Sequence, residues 1–81
     1  MVRETTYPPS HADLVAKSLT YIRENHPNYW RSISDQERQQ EAEADASRAE
    51  HYAQILISQG VFESAAWSQS IREMILGGMG D

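Results

Sequence analysis

Residues 34–60 read SDQERQQEAEADASRAEHYAQILISQG, and this stretch decides the fold. Ser34, followed three residues later by Glu37, forms a capping box that starts a helix. No proline or glycine interrupts the stretch until Gly60, which can adopt the left-handed conformation that ends a helix. The pattern predicts a helix over 34–58 with a length of about 36 Å.

This long helix carries small residues at heptad spacing. Its seam advances in alternate steps of four and three residues, as the knobs of a coiled coil do. The seam consists of Ala42, Ala46, Ala49, Ala53 and Leu56. Such a seam lets another helix approach closely, so we interpret its four alanines as a self-association surface that gives a homodimer. The alternatives are that another helix of the same chain folds back on the seam, or that alanine is present for helix propensity alone.

Two shorter helices are predicted on either side of the long one. Residues 10–25 repeat apolar side chains at helical spacing and begin at Ser10, an approximate capping box with the aspartate three residues on. Residues 64–76 place Trp67 and later apolar residues on one face, with Ser64 as the expected N-cap. The sequence has no strand pattern. We therefore predict an all-α fold, a small three-helix bundle with a long, acidic, Ala-rich central helix.

Length and composition set the limits of the interpretation. The chain has 81 residues, a net charge of -5 and no cysteine. One compact domain is expected at this length, and the acidic balance argues against duplex DNA as a partner. Without cysteine there is no disulfide framework and no thiol nucleophile, and no apolar run is long enough for a membrane helix. We predict a cytoplasmic protein with an extended lead over 1–9, one helical domain over 10–76 and a flexible Gly-rich tail over 77–81.

An acidic stripe is the first candidate for partner binding. Glu37, Glu41 and Asp45 repeat every four residues and should lie on one side of the central helix. Such a stripe would meet a basic surface on a partner protein, with charge steering the encounter. The alternative is a solvated helix face without a partner.

The predicted turn over 28–32 supplies a second candidate. Tyr29, Trp30 and Arg31 follow one another there, and all three residue types are enriched at the energetic centres of protein interfaces. We interpret them as part of the partner-binding surface. The alternative is that Trp30 folds under the bundle and fills the core.

Residue patterns typical of catalysis or metal binding do not occur. The histidines His11, His26 and His51 lie outside metal-ligand spacing, and no glycine-framed elbow presents a serine nucleophile. We therefore predict that the protein is not an enzyme and uses no cofactor and no metal.

These observations favour a small acidic interaction protein that binds and regulates a larger protein, with inhibition as the favoured mode. In size and charge alone the chain is similar to the small acidic inhibitors that phages and mobile elements encode against host systems, including anti-CRISPR proteins. That similarity implies an inhibitory function and assigns no site residue. Two alternatives are an oligomer that binds a small ligand between its subunits and an accessory subunit of a larger complex.

Overall fold

The structure is a computed structural model that describes residues 8–76. It contains four α-helices and a final π-helical turn: α1 His11–Asn25, α2 Pro27–Ser32, α3 Asp35–Ser58, α4 Glu63–Ile71 and the π-helix Arg72–Leu76. No strand occurs within 8–76. The all-α prediction is confirmed, and the bundle has four helices where three were predicted. The predicted lead over 1–9 lies mostly, and the predicted tail over 77–81 wholly, outside the described residues.

The central helix has the bounds that its sequence predicts. The backbone N–H of Ser34 donates to Glu37 Oε1 at 2.9 Å, and the Glu37 N–H donates to Ser34 Oγ at 3.1 Å, which completes the capping box. At the other end Gly60 has a φ of 97°. The Gly60 and Val61 N–H groups then bond to the carbonyls of Ile57 and Leu56, both at 3.0 Å. These two bonds form the paired termination motif that a left-handed glycine allows.

A short helix replaces the turn predicted over 28–32. Pro27 both ends α1, by disfavouring helical geometry at His26, and occupies the first turn of α2. Proline is tolerated there because the first helical N–H groups have no partner within the helix. A proline after an asparagine and a histidine predicts the end of a helix, and this stop signal at Pro27 hid the start of α2.

The N-cap of the last helix lies two residues earlier than predicted. Phe62 is the N-cap of α4 and makes no side-chain capping bond, so the assignment of Ser64 as the cap is wrong. The Phe62 side chain is 83% exposed. The predicted helix over 64–76 continues beyond α4 as the π-helical turn, in which Ile75 is buried.

The alanine seam of α3 lies inside the core of this single chain. Ala42, Ala46, Ala49 and Ala53 are each 0% exposed and cluster with residues of α1, α4 and the π-helical turn: Leu14, Val15, Trp67 and Ile75. The interpretation of these four alanines as a surface for a second copy is therefore wrong. The physical reason is that α1 and α4 cover the seam, and they bring small side chains to it in Ser18 and Ser70, both 0% exposed.

Trp67 is a core residue, as the sequence predicts, with 2% of its surface exposed. Ile71 and Met74 are partly buried against the same cluster. Within residues 8–76 no helix is both long and apolar enough to pass through a lipid bilayer.

Candidate functional site

A groove runs between α2 and the N-terminal half of α3, and we name it the α2–α3 groove. Its volume is about 350 Å³. The lining residues are Tyr29, Ile33, Glu37, Gln40, Glu41, Ala44 and Arg48. Three of the six residues predicted to bind a partner, Tyr29, Glu37 and Glu41, therefore lie together in one concave surface.

Arg38 holds α2 in place beside the groove. Its guanidinium donates to the Trp30 carbonyl from Nε at 2.9 Å and from Nη2 at 2.7 Å. A third N–H, on Nη1, bonds to Asp35 Oδ1 at 2.7 Å, and the guanidinium carbon lies 4.4 Å from the centre of a Trp30 ring. A positive group is favourable at the C-terminus of a helix, where carbonyls lack partners. Because α2 buries none of its own side chains fully, this contact helps to fix its position.

Tyr29 and Glu41 form the wall of the groove. The Tyr29 hydroxyl donates to Glu41 Oε2 over 3.1 Å. This hydrogen bond raises the pKa of Tyr29 above its ordinary value, because it stabilises the protonated phenol beside a carboxylate. Partial burial and the negative charges of Glu41, Glu37 and Asp45 raise the pKa further.

The Tyr29 pKa provides a direct test of this wall. We expect Glu41→Gln to lower the pKa of Tyr29 toward its ordinary value of 10.0, because the carboxylate is the main cause of the shift. The folded-state pKa lies above the unfolded one, so stabilisation by this bond is complete below about pH 10 and disappears as the pH rises through the folded value. Alkaline ultraviolet difference spectra measure the titration, and Tyr29→Phe identifies which transition belongs to Tyr29. An unchanged titration in Glu41→Gln would contradict the assignment.

Asp45 does not belong to the exposed acidic stripe that the sequence predicts. The residue is only 4% exposed, it accepts a hydrogen bond from Ser18 Oγ at 2.8 Å, and it pairs with Arg48. A step of four residues advances about 40° around a helix, so Asp45 lies about 80° from Glu37. That rotation turns Asp45 toward α1. The assignment of Asp45 to a partner-binding surface is therefore wrong.

Trp30 and Arg31 lie outside the lining of the groove. Trp30 is half-buried, with Arg38 against its ring. Its exposure is thus intermediate between the two predictions, an exposed binding residue and a core residue. Arg31 is exposed and donates to Asn28 Oδ1 at 2.7 Å. Four lining residues were not predicted: Ile33, Gln40, Ala44 and Arg48. For Ala44 and Arg48 the signal was the helical spacing of positions 37, 41, 44 and 48.

The groove keeps negative charge that no ion pair within residues 8–76 neutralises. Arg38 pairs with Asp35, and Arg48 pairs with the buried Asp45. No ion pair within residues 8–76 involves Glu37 or Glu41. Two carboxylates therefore stand beside the apolar surfaces of Tyr29 and Ile33. Such a surface suits a lysine or arginine side chain, whose stem is apolar and whose head is a donor.

Metal binding finds no support in the same residues. Across 8–76 no three histidine, aspartate or glutamate side chains are grouped closely enough to hold an ion.

Comparison with known proteins identifies no relative: no protein family, curated protein or solved structure matches this chain.

Proposed function

We propose that this chain is a non-enzymatic protein that binds a larger protein through the α2–α3 groove and regulates it, with inhibition as the favoured mode. The observation that carries the proposal is the charge state of the groove. Both arginines of the acidic half of α3 pair with aspartates of the same helix, while Glu37 and Glu41 make no such pair among the described residues.

The groove favours a basic segment as its occupant. A lysine or arginine stem would pack on Ile33 and Ala44, and its charged head would reach the carboxylates. The Tyr29 hydroxyl, bonded to Glu41, orients that carboxylate at the wall. The net charge of -5 would raise the rate of encounter with a basic partner at low salt. We propose that this interaction takes place in the cytoplasm. The chain has no cysteine, so it needs no oxidising compartment to form disulfides.

Charge reversal in the groove tests the proposal. We expect Glu37→Lys combined with Glu41→Lys to weaken the partner complex by about tenfold or more, since each lysine would oppose a basic group of the partner. The partner is isolated with the wild-type chain, and the affinity of the purified pair is then measured for each variant by titration calorimetry.

The matched control reverses the same amount of charge elsewhere. Glu24 and Glu43 are exposed and lie outside the groove lining. We expect Glu24→Lys combined with Glu43→Lys to retain wild-type affinity to within about threefold, as surface charges distant from a contact affect mainly the encounter. Circular dichroism confirms that both double variants keep their helix content. Equal losses in the two double variants would contradict docking through the groove.

A further inference from the structure

The outward side of α3 carries a second heptad pattern, opposite the buried alanines. Its members are separated by four, three, four, three and four residues, and we name them the outer stripe: Glu37, Glu41, Ala44, Arg48, His51 and Ile55. Glu41 is half-buried and the other five are exposed. Heptad spacing along one helix is the geometry that pairs with another helix.

The outer stripe connects two grooves. Its N-terminal part lines the α2–α3 groove. Its C-terminal part lines a groove of about 420 Å³ formed by Ser47, Arg48, His51, Tyr52, Ile55 and Met74. Ile55 is one of the few large apolar residues exposed in the described chain, at 39%. The stripe is thus acidic at one end, basic near the middle and apolar at the other end.

When two copies run antiparallel, an acidic member of each stripe faces a basic member of the other. A two-fold axis beside position 46 places Glu41 opposite His51 of the second copy, and Ala44 opposite Arg48 of the second copy. Symmetry repeats each pairing, as in every interface between identical surfaces related by a two-fold axis. Glu41 can accept a bond from an imidazole N–H in addition to the bond from Tyr29, because a carboxylate has about four acceptor sites.

We infer that two copies of this chain associate through antiparallel pairing of their outer stripes. Ala44 next to the axis permits a close approach of the two helices. The two Arg48 side chains near the axis are each neutralised by Asp45 of their own chain, which reduces their mutual repulsion. In the same register Ile55 of each copy lies opposite Glu37 of the other copy, whose carboxylate accepts from its own Ser34 N–H. Ile33 and Tyr29 beside Glu37 offer apolar surface to this exposed isoleucine.

The pairing covers the same surface that the proposed function assigns to a basic partner. Self-association and partner binding would therefore compete, and the dimer would be a form in which the groove is occupied. The inference itself stands on the outer stripe and does not require the partner. His51 lies outside the α2–α3 groove, so a change at His51 separates the two proposals.

Two complementary charge changes test the pairing. The solution mass is measured by light scattering after size exclusion, and the wild type is expected at twice the monomer mass of 9.2 kDa. In His51→Glu a glutamate faces Glu41, and in Glu41→Lys a lysine faces His51. We expect each variant alone to show a twofold lower mass than the wild type.

An equimolar mixture of the two variants is expected to recover the doubled mass. In that mixture the introduced lysine at position 41 faces the introduced glutamate at position 51, and the remaining Glu41 faces the remaining His51. The two positions lie about 15 Å apart along one helix, so no contact within a chain explains the recovery. Circular dichroism verifies that each variant is helical, and Glu43→Lys, which is outside the stripe, should keep the doubled mass.

Three results would overturn the inference: a wild-type mass of 9.2 kDa at about millimolar concentration, a doubled mass in both single variants, or a mixture that stays monomeric. The proposed function is judged separately, because His51→Glu keeps all the groove residues and should bind the partner as well as the wild type or better. Loss of partner binding in the Glu37→Lys, Glu41→Lys double variant, with a monomeric wild type, would leave that function standing and remove the dimer.

Discussion

Trp67→Ala is expected to lower the free energy of unfolding by about 3 to 5 kcal/mol, the largest effect of any single substitution considered for this chain. Trp67 is 2% exposed and lies in the cluster that joins α1, α3 and α4, with Leu14 and Val15 among its members. The alanines of α3 in that cluster cannot expand to fill the space that an indole leaves. A domain of this length has a total stability of about 4 to 12 kcal/mol, so the variant should be largely or partly unfolded. Urea denaturation followed by circular dichroism measures the loss.

Trp67→Phe is the matched control for that experiment. Phenylalanine keeps most of the ring volume and removes the indole N–H, which is buried and has no hydrogen-bond partner among the described residues. A buried donor without a partner is unfavourable, so its removal offsets part of the lost packing. We expect this variant to lose at most about 1.5 kcal/mol. Similar losses for phenylalanine and alanine would contradict a packing role for the indole.

Asp45→Ala is expected to lower the free energy of unfolding by about 2 to 3 kcal/mol. The substitution leaves the Ser18 hydroxyl, which is fully buried, without its acceptor. The Arg48 side chain is 58% exposed, so water can hydrate the guanidinium when its partner is removed. Most of the loss should therefore come from the contact between α1 and α3. Urea denaturation at neutral pH provides the measurement.

Two further variants separate these contributions. Ser18→Ala combined with Asp45→Ala should lose less stability than the sum of the two single losses, because the pair shares one hydrogen bond. Arg48→Ala should lose less stability than Asp45→Ala, because the Arg48 side chain is largely exposed to water. Strict additivity in the first comparison would show that Ser18 and Asp45 do not interact, and would contradict the assigned contact.

The ends of α3 were predictable because their signals are local. The capping box at Ser34 and the left-handed turn at Gly60 each act within five residues, so the sequence alone contains both. The start of α2 had a local signal too, since Pro27 can begin a helix as well as end one. The start of α4 had none, because its N-cap Phe62 makes no side-chain capping bond.

The site was less predictable because its contacts join distant parts of the chain. Tyr29 and Glu41 are twelve residues apart, and only the fold of α2 against α3 brings them together. Asp45 was assigned to the partner-binding surface because of its charge. Its position, rotated about 40° around the helix from Glu41, places it in contact with α1 instead. One residue indicated that α1 covers the alanine seam. Ser18 is a small residue on the apolar side of the first helix, and it faces the seam. That signal is weak, because serine is common on exposed helix surfaces as well.

The capping box and the alanines of α3 also affect the helix content of the unfolded chain. Alanine, glutamate, glutamine and arginine have high intrinsic helix propensity, and they make up most of residues 36–50. A segment of this composition with a capped start retains fluctuating helix in the denatured ensemble. We therefore expect the denatured chain to keep part of its longest helix before the other helices pack against it.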